Sequence, residues 1–219
     1  MPLLINQDDL KPLFTSEDFY ARLFDVIRDS LLQQNAERPG DVSWLAFPTS
    51  QEQTRINIHL LSTPIEGTSI RIFPHRVGTQ AKDSMLTLLF DEQDGHLLAL
   101  MSLDDMGPLR TSAPVALAAR QLQPTGARIL GLIGSGLQAR YHLQGLRHAV
   151  PSLKQVRVFS PTAENRSRFA AEMSAETGLA VEAVASAQLA VEGADIVTVT
   201  AASNGPVLET AWIRPGALV

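Results

Sequence analysis

A glycine-containing segment at residues 134–139, with the sequence GSGLQA, constrains the fold of this chain more than any other feature. It directly follows an apolar run and opens a helical pattern. Gly134 allows a tight strand-to-helix turn, Gly136 lets the backbone approach a pyrophosphate, and Ala139 lets the helix lie close to the strand. The helix N-terminus would direct unpaired N–H groups at phosphates. The alternative is a tight turn in an ordinary α/β domain. The residues assigned to cofactor binding here are Gly134, Ser135, Gly136, Leu137, Gln138 and Ala139.

The second half of the chain alternates strand and helix patterns, which predicts a doubly wound parallel sheet. The predicted strands are residues 129–133, 156–159, 179–184 and 195–200, and the predicted helices are residues 138–149, 163–177 and 187–191. Residues 216–219 read as the opening of a fifth strand, so we expect a fragment of a longer protein.

The first half predicts an α+β domain. A helix capped by Thr15 or Ser16 should run to about Gln34, with an apolar face formed by Phe19, Leu23, Val26, Ile27 and Leu31. Predicted strands cover residues 42–47, 55–61, 69–73, 86–90 and 97–101, with a hairpin turn at 91–95 and a helix at 111–122. The expected fold class is α/β, with an α+β domain at residues 1–125 and a Rossmann-type domain, incomplete at its C-terminus, at residues 126–219.

The end of the second predicted Rossmann strand indicates which nicotinamide cofactor is preferred. It carries no carboxylate, which would bind the ribose 2′-hydroxyl of NAD, and offers Ser160 and Thr162, with Arg166 one turn further on. Hydroxyls and a guanidinium accept a 2′-phosphate, so NADP(H) is favoured over NAD(H). The alternative is that Thr162 only caps a helix and Arg166 faces solvent. Thr200 and Ala201 follow the fourth strand, where we expect backbone contact with the cofactor.

Charge and composition exclude several classes of protein. The net charge is −5 and there are no cysteines, so neither a nucleic-acid partner nor a thiolate metal site is expected. The five histidines lack metal-ligand spacing, and no metal is assigned. No signal peptide or membrane span is visible, which makes the cytoplasm the default location.

Several segments together resemble the ornithine cyclodeaminase/mu-crystallin family. They are residues 89–91, Gly95, 98–101, 109–113, 134–139, 156–158, 193–197, 206–208 and 212–216. The resemblance implies an NAD(P)-binding second domain, and a first domain that supplies the substrate site and a dimer interface. It also implies that Arg110 holds a substrate carboxylate, which suits a guanidinium, and that Thr111 lies near the nicotinamide. A surface arginine paired with Asp104 or Asp105 is the alternative for Arg110.

Two departures from the family pattern bear on catalysis. The family's strand lysine falls at Thr68 here, and an acidic residue that ornithine cyclisation uses would lie beyond Val219. Lys82, in a following loop, is the remaining lysine candidate. His75, expected in a loop after a strand, is a candidate general acid or a solvated histidine.

The expected function is that of an NAD(P)-dependent oxidoreductase, transferring hydride at the Cα of a small amino or imino acid. Reductase, amino-acid dehydrogenase and cyclodeaminase activities all fit this description, and a homodimer is implied. The alternative is a cofactor-binding protein of the crystallin type without turnover, or an inactive fragment.

Overall fold

The computed structural model describes residues 1–14, 18–35, 43–48, 54–63, 67–76, 86–102 and 104–219. The chain forms two compact units, Met1–Gly107 and Pro108–Val219. This division falls in the first turn of the helix Met106–Leu122, whereas the sequence predicts a domain boundary near residue 125. Within the described part of the chain, no helix is long and apolar enough to cross a membrane.

In its described residues, the first unit has a six-stranded sheet and two helices. Its elements are β1 Leu3–Asn6, α1 Gln7–Phe14, α2 Phe19–Asn35, β2 Ser43–Pro48, β3 Thr54–Thr63, β4 Gly67–Arg76, β5 Leu86–Asp91 and β6 Leu97–Ser102. The strand order is β1-β6-β5-β4-β3-β2; β1 pairs in parallel with β6, and the other pairings of these described strands are antiparallel. β1 and α1 were not predicted. β1 is a strand because Leu3 pairs with Ala99, a contact that no local pattern reveals.

The buried face of α2 differs from the predicted one. Tyr20 and Phe24 are buried, whereas Val26 and Leu31 are 61% and 45% exposed. Tyr20 and Phe24 are four residues apart, and their ring centroids lie 6.0 Å from each other. Burial raises the pKa of Tyr20 to about 12. The helical periodicity of the apolar residues predicted this helix correctly. The face that the helix buries is shifted from the predicted face towards these two aromatic rings.

Strand β4 is longer than predicted, and the added residues include His75. The β3 pairing continues to Arg76, while the β5 pairing ends at Ile72. Among the described residues, 73–76 pair only with β3. His75 thus lies within a strand, opposite Arg55, and the prediction that it belongs to a loop was wrong.

The predicted hairpin between β5 and β6 is present. The Asp91 carboxylate accepts hydrogen bonds from the N–H groups of Gln93 and Asp94, at 2.8 and 3.2 Å. Asp94 in turn accepts from the N–H and the ring nitrogen of His96, which hold the pKa of Asp94 below its ordinary value. Potential metal-ligating atoms of Asp91, Asp94 and His96 lie within 4.8 Å of one another. The turn's own hydrogen bonds account for this proximity.

The second unit has the predicted strand–helix alternation. Its elements are α3 Met106–Leu122, which starts at the boundary, β7 Ile129–Ile133, α4 Leu137–Ala149, β8 Gln155–Phe159, α5 Ala163–Thr177, β9 Ala180–Ala183, α6 Ala187–Val191, β10 Ile196–Val199 and a 3-10 turn Thr210–Trp212. The strands are all parallel, in the order β10-β7-β8-β9. This is the order of the first four strands of a Rossmann sheet. Leu218 pairs in parallel with Ile196, at the edge where a fifth strand was predicted.

The core of this sheet is apolar on both faces. Leu130, Leu132, Val156 and Val158 are completely buried, as expected of central parallel strands. A Cβ at Gly131 would lie 2.6 Å from the carbonyl oxygen of Ala190, so α6 packs directly on the β7 backbone. Helix α6 therefore holds β7 in place, and β7 leads directly into the glycine-containing segment.

Asp195 ties the start of β10 to neighbouring segments. Its carboxylate accepts the N–H groups of Arg128 and Ile129 at 2.6 and 2.8 Å, and also accepts from the Arg214 guanidinium. Partial burial raises the pKa of Asp195, but these hydrogen bonds and the Arg214 charge outweigh it and lower the pKa below its ordinary value. The Asp195 carboxylate thus stays ionised and joins β7, β10 and the C-terminal segment.

Candidate nucleotide-binding site

The glycine loop, which we define as residues 134–136, lies between the carboxyl ends of β8 and β10. Gly134 has a φ of +117° and donates its N–H to the Phe159 carbonyl at 2.8 Å. A Cβ at Gly134 would lie 2.5 Å from Thr200 Oγ1 and 3.2 Å from the Ala201 nitrogen. Only glycine fits this position, because both the backbone angle and the close approach exclude a side chain.

Gly136 meets a different constraint. It is the N-cap of α4, with a φ of −90° that any residue can adopt, and no side chain caps the helix. A Cβ at Gly136 would meet no atom within 4 Å, so it would project into open space. Ala139, one turn on, is completely buried. The N-terminus of α4 therefore presents uncapped N–H groups to an open space, which is an arrangement that suits an anion.

Two serines join the glycine loop to the segment after β8. Ser135 Oγ lies 2.8 Å from Ser160 Oγ, and Ser160 is only 7% exposed. Thr162 follows on the exposed side, at the N-cap position of α5, and its side chain makes no capping hydrogen bond. The alternative that Thr162 serves as a side-chain cap is thus not seen in the structure.

Arg166 folds back onto the end of β8. Its Nη1 donates to the carbonyl oxygens of Ser160 and Pro161 at 3.0 and 3.3 Å. Its guanidinium carbon lies 5.8 Å from the ring centroid of Phe159. Arg166 therefore braces the segment after β8 and does not simply face solvent.

Thr200 completes the other side of the site. Its N–H and its Oγ1 donate to the Ile133 carbonyl at 2.8 and 3.2 Å, just before the glycine loop. Thr200 and Ala201 lie against Gly134, at the carboxyl ends of β7 and β10. The predicted cofactor-binding residues that follow β7, β8 and β10 thus lie together at the carboxyl ends of these strands.

Leu137 and Gln138 form the first turn of α4. Leu137 is 51% exposed beside the glycine loop. Gln138 Oε1 is buried and has no hydrogen-bond partner. The Gln138 carbonyl lies 2.8 Å from Nδ1 of His142, and burial lowers the pKa of His142. His142 therefore belongs to the packing of α4.

A surface cavity of about 260 Å³ adjoins the glycine loop. Residues 135–137 and Arg140 line one side, and α5 lines the other with Asn165, Arg168, Phe169 and Glu172. Sequence reasoning did not single out these α5 residues. Their spacing of three and four residues on one helix face was the signal that could have found them.

Arg110 is the one candidate catalytic residue whose side chain the structure describes. The predicted helix at 111–122 excludes Arg110, but α3 begins at Met106 and includes it, because Pro108 fits the first turn of a helix. Arg110 is exposed and has no hydrogen bond or ion pair among residues that the structure describes. The Asp105 carboxylate accepts instead from Gln7, and Thr111 is exposed beside Arg110. Lys82 and the side chain of His75 lie outside the described residues.

Comparison with known proteins gives consistent similarities. The sequence model of the ornithine cyclodeaminase/mu-crystallin family matches residues 73–219. The ketimine reductase mu-crystallin of Mus musculus is 35% identical over 130 residues, which are 59% of this chain and 40% of that protein. This chain therefore spans about two fifths of the length of that curated relative.

Solved structures of related proteins share the fold. Thermococcus litoralis Delta(1)-pyrroline-2-carboxylate reductase, in complex with NADH and L-proline, has a TM-score of 0.86 and 24% identity, covering 98% of this chain and 67% of that one. An archaeal alanine dehydrogenase dimer with bound NAD has a TM-score of 0.82 and 18% identity, covering 99% of this chain and 66% of that one. At these identities the likeness shows the fold.

Proposed function

Because the chain belongs to the ornithine cyclodeaminase/mu-crystallin family, we propose that it is part of an NAD(P)-dependent oxidoreductase acting on a small amino or imino acid. The observation that carries this proposal is the uncapped N-terminus of α4, open to solvent beside Gly136. A nicotinamide cofactor would supply the hydride, and the protein would supply binding and orientation.

The described residues suggest how the cofactor is held. The N–H groups at the start of α4 would bind the pyrophosphate, because they have no partner and lie at the positive end of the helix dipole. Thr162 lies where the adenosine ribose is expected, beyond the second strand, with the buried Ser160 beneath it. The backbone at Thr200 and Ala201 would contact the nicotinamide half.

Arg110 would hold the substrate. Relatives of this chain include a ketimine reductase and a pyrroline-2-carboxylate reductase whose structure contains L-proline. A guanidinium binds a carboxylate through two parallel hydrogen bonds, which would orient the Cα relative to the cofactor. The exposed position of Arg110, with no carboxylate partner among the described residues, leaves it available for such a ligand.

We expect NADPH to bind more tightly than NADH. The segment after β8 has no carboxylate to repel a 2′-phosphate, and Arg166 places positive charge there. Fluorescence titration of the chain with both cofactors measures the preference. Tighter binding of NADH would contradict the assignment of NADP(H), and failure to bind either cofactor would contradict the proposed function.

A second candidate function is cofactor binding without turnover. The position at which the family carries a lysine is Thr68, a half-buried residue of β4. A threonine cannot act as the proton-carrying amine that the resemblance implies there. Reductase activity on small cyclic imines, and on 2-oxo acids with amines, separates the two functions. NADPH binding with no turnover on any of them would favour this second candidate.

We also propose that the protein is a homodimer joined through the first unit. By register, Leu4, Leu100, Leu88 and Ile70 form one row across four strands of the sheet. Leu4 is 73% exposed and the other three are half-buried, whereas Ser69, Thr87 and Ala99 on the opposite face are buried. An aliphatic sheet face left this open is stabilised by covering it.

Light scattering tests the dimer directly. We expect twice the chain mass for the protein as it stands, and a monomer for Leu88→Lys, because a charge in the aliphatic row would be buried at the interface. A monomeric wild-type protein would contradict the proposed assembly.

A further inference from the structure

The cavity beside the glycine loop has one wall made by a single face of α5. Asn165, Arg168, Phe169 and Glu172 are spaced by three and four residues, so their side chains share that face. Phe169 is only 3% exposed and closes the bottom of the cavity. This wall is rigid, because α5 packs against β8 and β9 and ends in a left-handed cap at Gly178.

Two arginines and one glutamate line the cavity. Arg140 bridges Glu172 and Glu176 across the gap between α4 and α5, so its charge is already engaged by two carboxylates. Arg168 pairs with no carboxylate in the described part of the chain, and its Nη2 donates at 3.1 Å to Asn165 Oδ1. Arg168 is therefore the lining guanidinium without a carboxylate partner among the described residues, and such a charge attracts an anion.

The cavity is continuous with the proposed pyrophosphate site. Ser135, Gly136 and Leu137 line it, and the same residues form the loop and the N-terminus of α4. Ser135 also touches Ser160 at the end of β8, where the adenosine ribose is expected. Through this contact the cavity adjoins the end of β8, and a group attached to that ribose would extend towards the α5 wall.

Arg166 is less suited to bind that group than its sequence position suggests. Its Nη1 is already engaged by two backbone carbonyls of the segment that it braces. Arg168, two residues on, lines the cavity, and the partner of its guanidinium among the described residues is the neutral side chain of Asn165.

We propose that this cavity receives the 2′-phosphate of the dinucleotide, with Arg168 as the residue that determines NADP(H) specificity and Asn165 as its positioning residue. Arg166 then holds the segment after β8 in place. This inference rests on the proposed function, since it assumes a nicotinamide dinucleotide at the glycine loop.

The test compares NADPH and NADH on the full chain by fluorescence titration. For Arg168→Gln we expect NADPH affinity to fall by about tenfold or more, as for loss of a hydrogen bond between charged groups, and NADH affinity to stay within about twofold. Arg168→Lys keeps the charge and should retain part of the preference. Arg147→Gln, an exposed arginine at the far end of α4, is the matched control and should change neither affinity.

Competition with 2′,5′-ADP and 5′-ADP gives a second readout. The wild-type chain should bind 2′,5′-ADP more tightly, and Arg168→Gln should remove that difference. Equal weakening of NADPH and NADH by Arg168→Gln would mean that Arg168 contacts the pyrophosphate, and would overturn the inference. Unchanged affinities would overturn it too, while the proposed function would stand. If the wild-type chain binds neither cofactor, the proposed function itself fails and the inference falls with it.

Discussion

Gly136→Val should abolish cofactor binding and leave the fold intact. The added side chain would meet no protein atom within 4 Å at its Cβ, so the folded state tolerates it. It would, however, fill the space in front of the α4 N-terminus, where the pyrophosphate is expected. Losing two hydrogen bonds to a charged group at about 1.5–3 kcal/mol each weakens binding by more than about 100-fold. Titration with NADPH, together with the melting temperature, measures both effects.

Gly134→Ala provides the matched contrast. Its Cβ would lie 2.5 Å from Thr200 Oγ1, at a φ of +117° that an L side chain rarely adopts. We expect a lower melting temperature for this variant, in contrast to Gly136→Val. If Gly136→Val bound NADPH as tightly as the wild-type chain does, the glycine loop would not be the pyrophosphate site.

Arg110→Lys should weaken binding of carboxylate ligands severely. An ammonium loses the two parallel hydrogen bonds of a guanidinium, and losing a charged contact that the bound ligand covers costs on the order of 2–5 kcal/mol. With L-proline as the probe in the presence of NADPH, we expect its affinity to fall by at least about 30-fold. NADPH affinity should change little, since Arg110 is assigned to the substrate and not to the cofactor.

Arg120→Lys is the control for Arg110→Lys, because Arg120 is exposed in the last turn of the same helix. It should leave both affinities unchanged. Equal loss of L-proline and NADPH binding in Arg110→Lys would assign Arg110 to the cofactor or to the fold. No loss of either would make it a surface arginine without a role in binding.

The sequence alone predicted those elements whose ends are marked by neighbouring residues. The bounds of β7, α5 and α6 match the predictions at both ends, because an apolar run of five residues, a helix capped by Gly178 and a short helix begun by Ser186 are each marked by neighbouring residues. The glycine loop was identified for the same reason, since its spacing reflects a turn, a close approach and a helix start. The doubly wound parallel sheet was predicted from this half of the chain, whereas the family resemblance rests on segments of both halves.

Tertiary structure decided what depends on distant contacts. β1 is a strand because β6 pairs with it, and His75 lies in β4 because β3 extends beside it. Arg166 bends back onto backbone carbonyls while Arg168 lines a cavity, although the two differ by only two positions in sequence. Periodicity predicts that a helix has faces, but which face meets a cavity depends on how α4 and α5 pack together. That packing arises from contacts between residues far apart in the chain, which the sequence pattern of neither helix encodes.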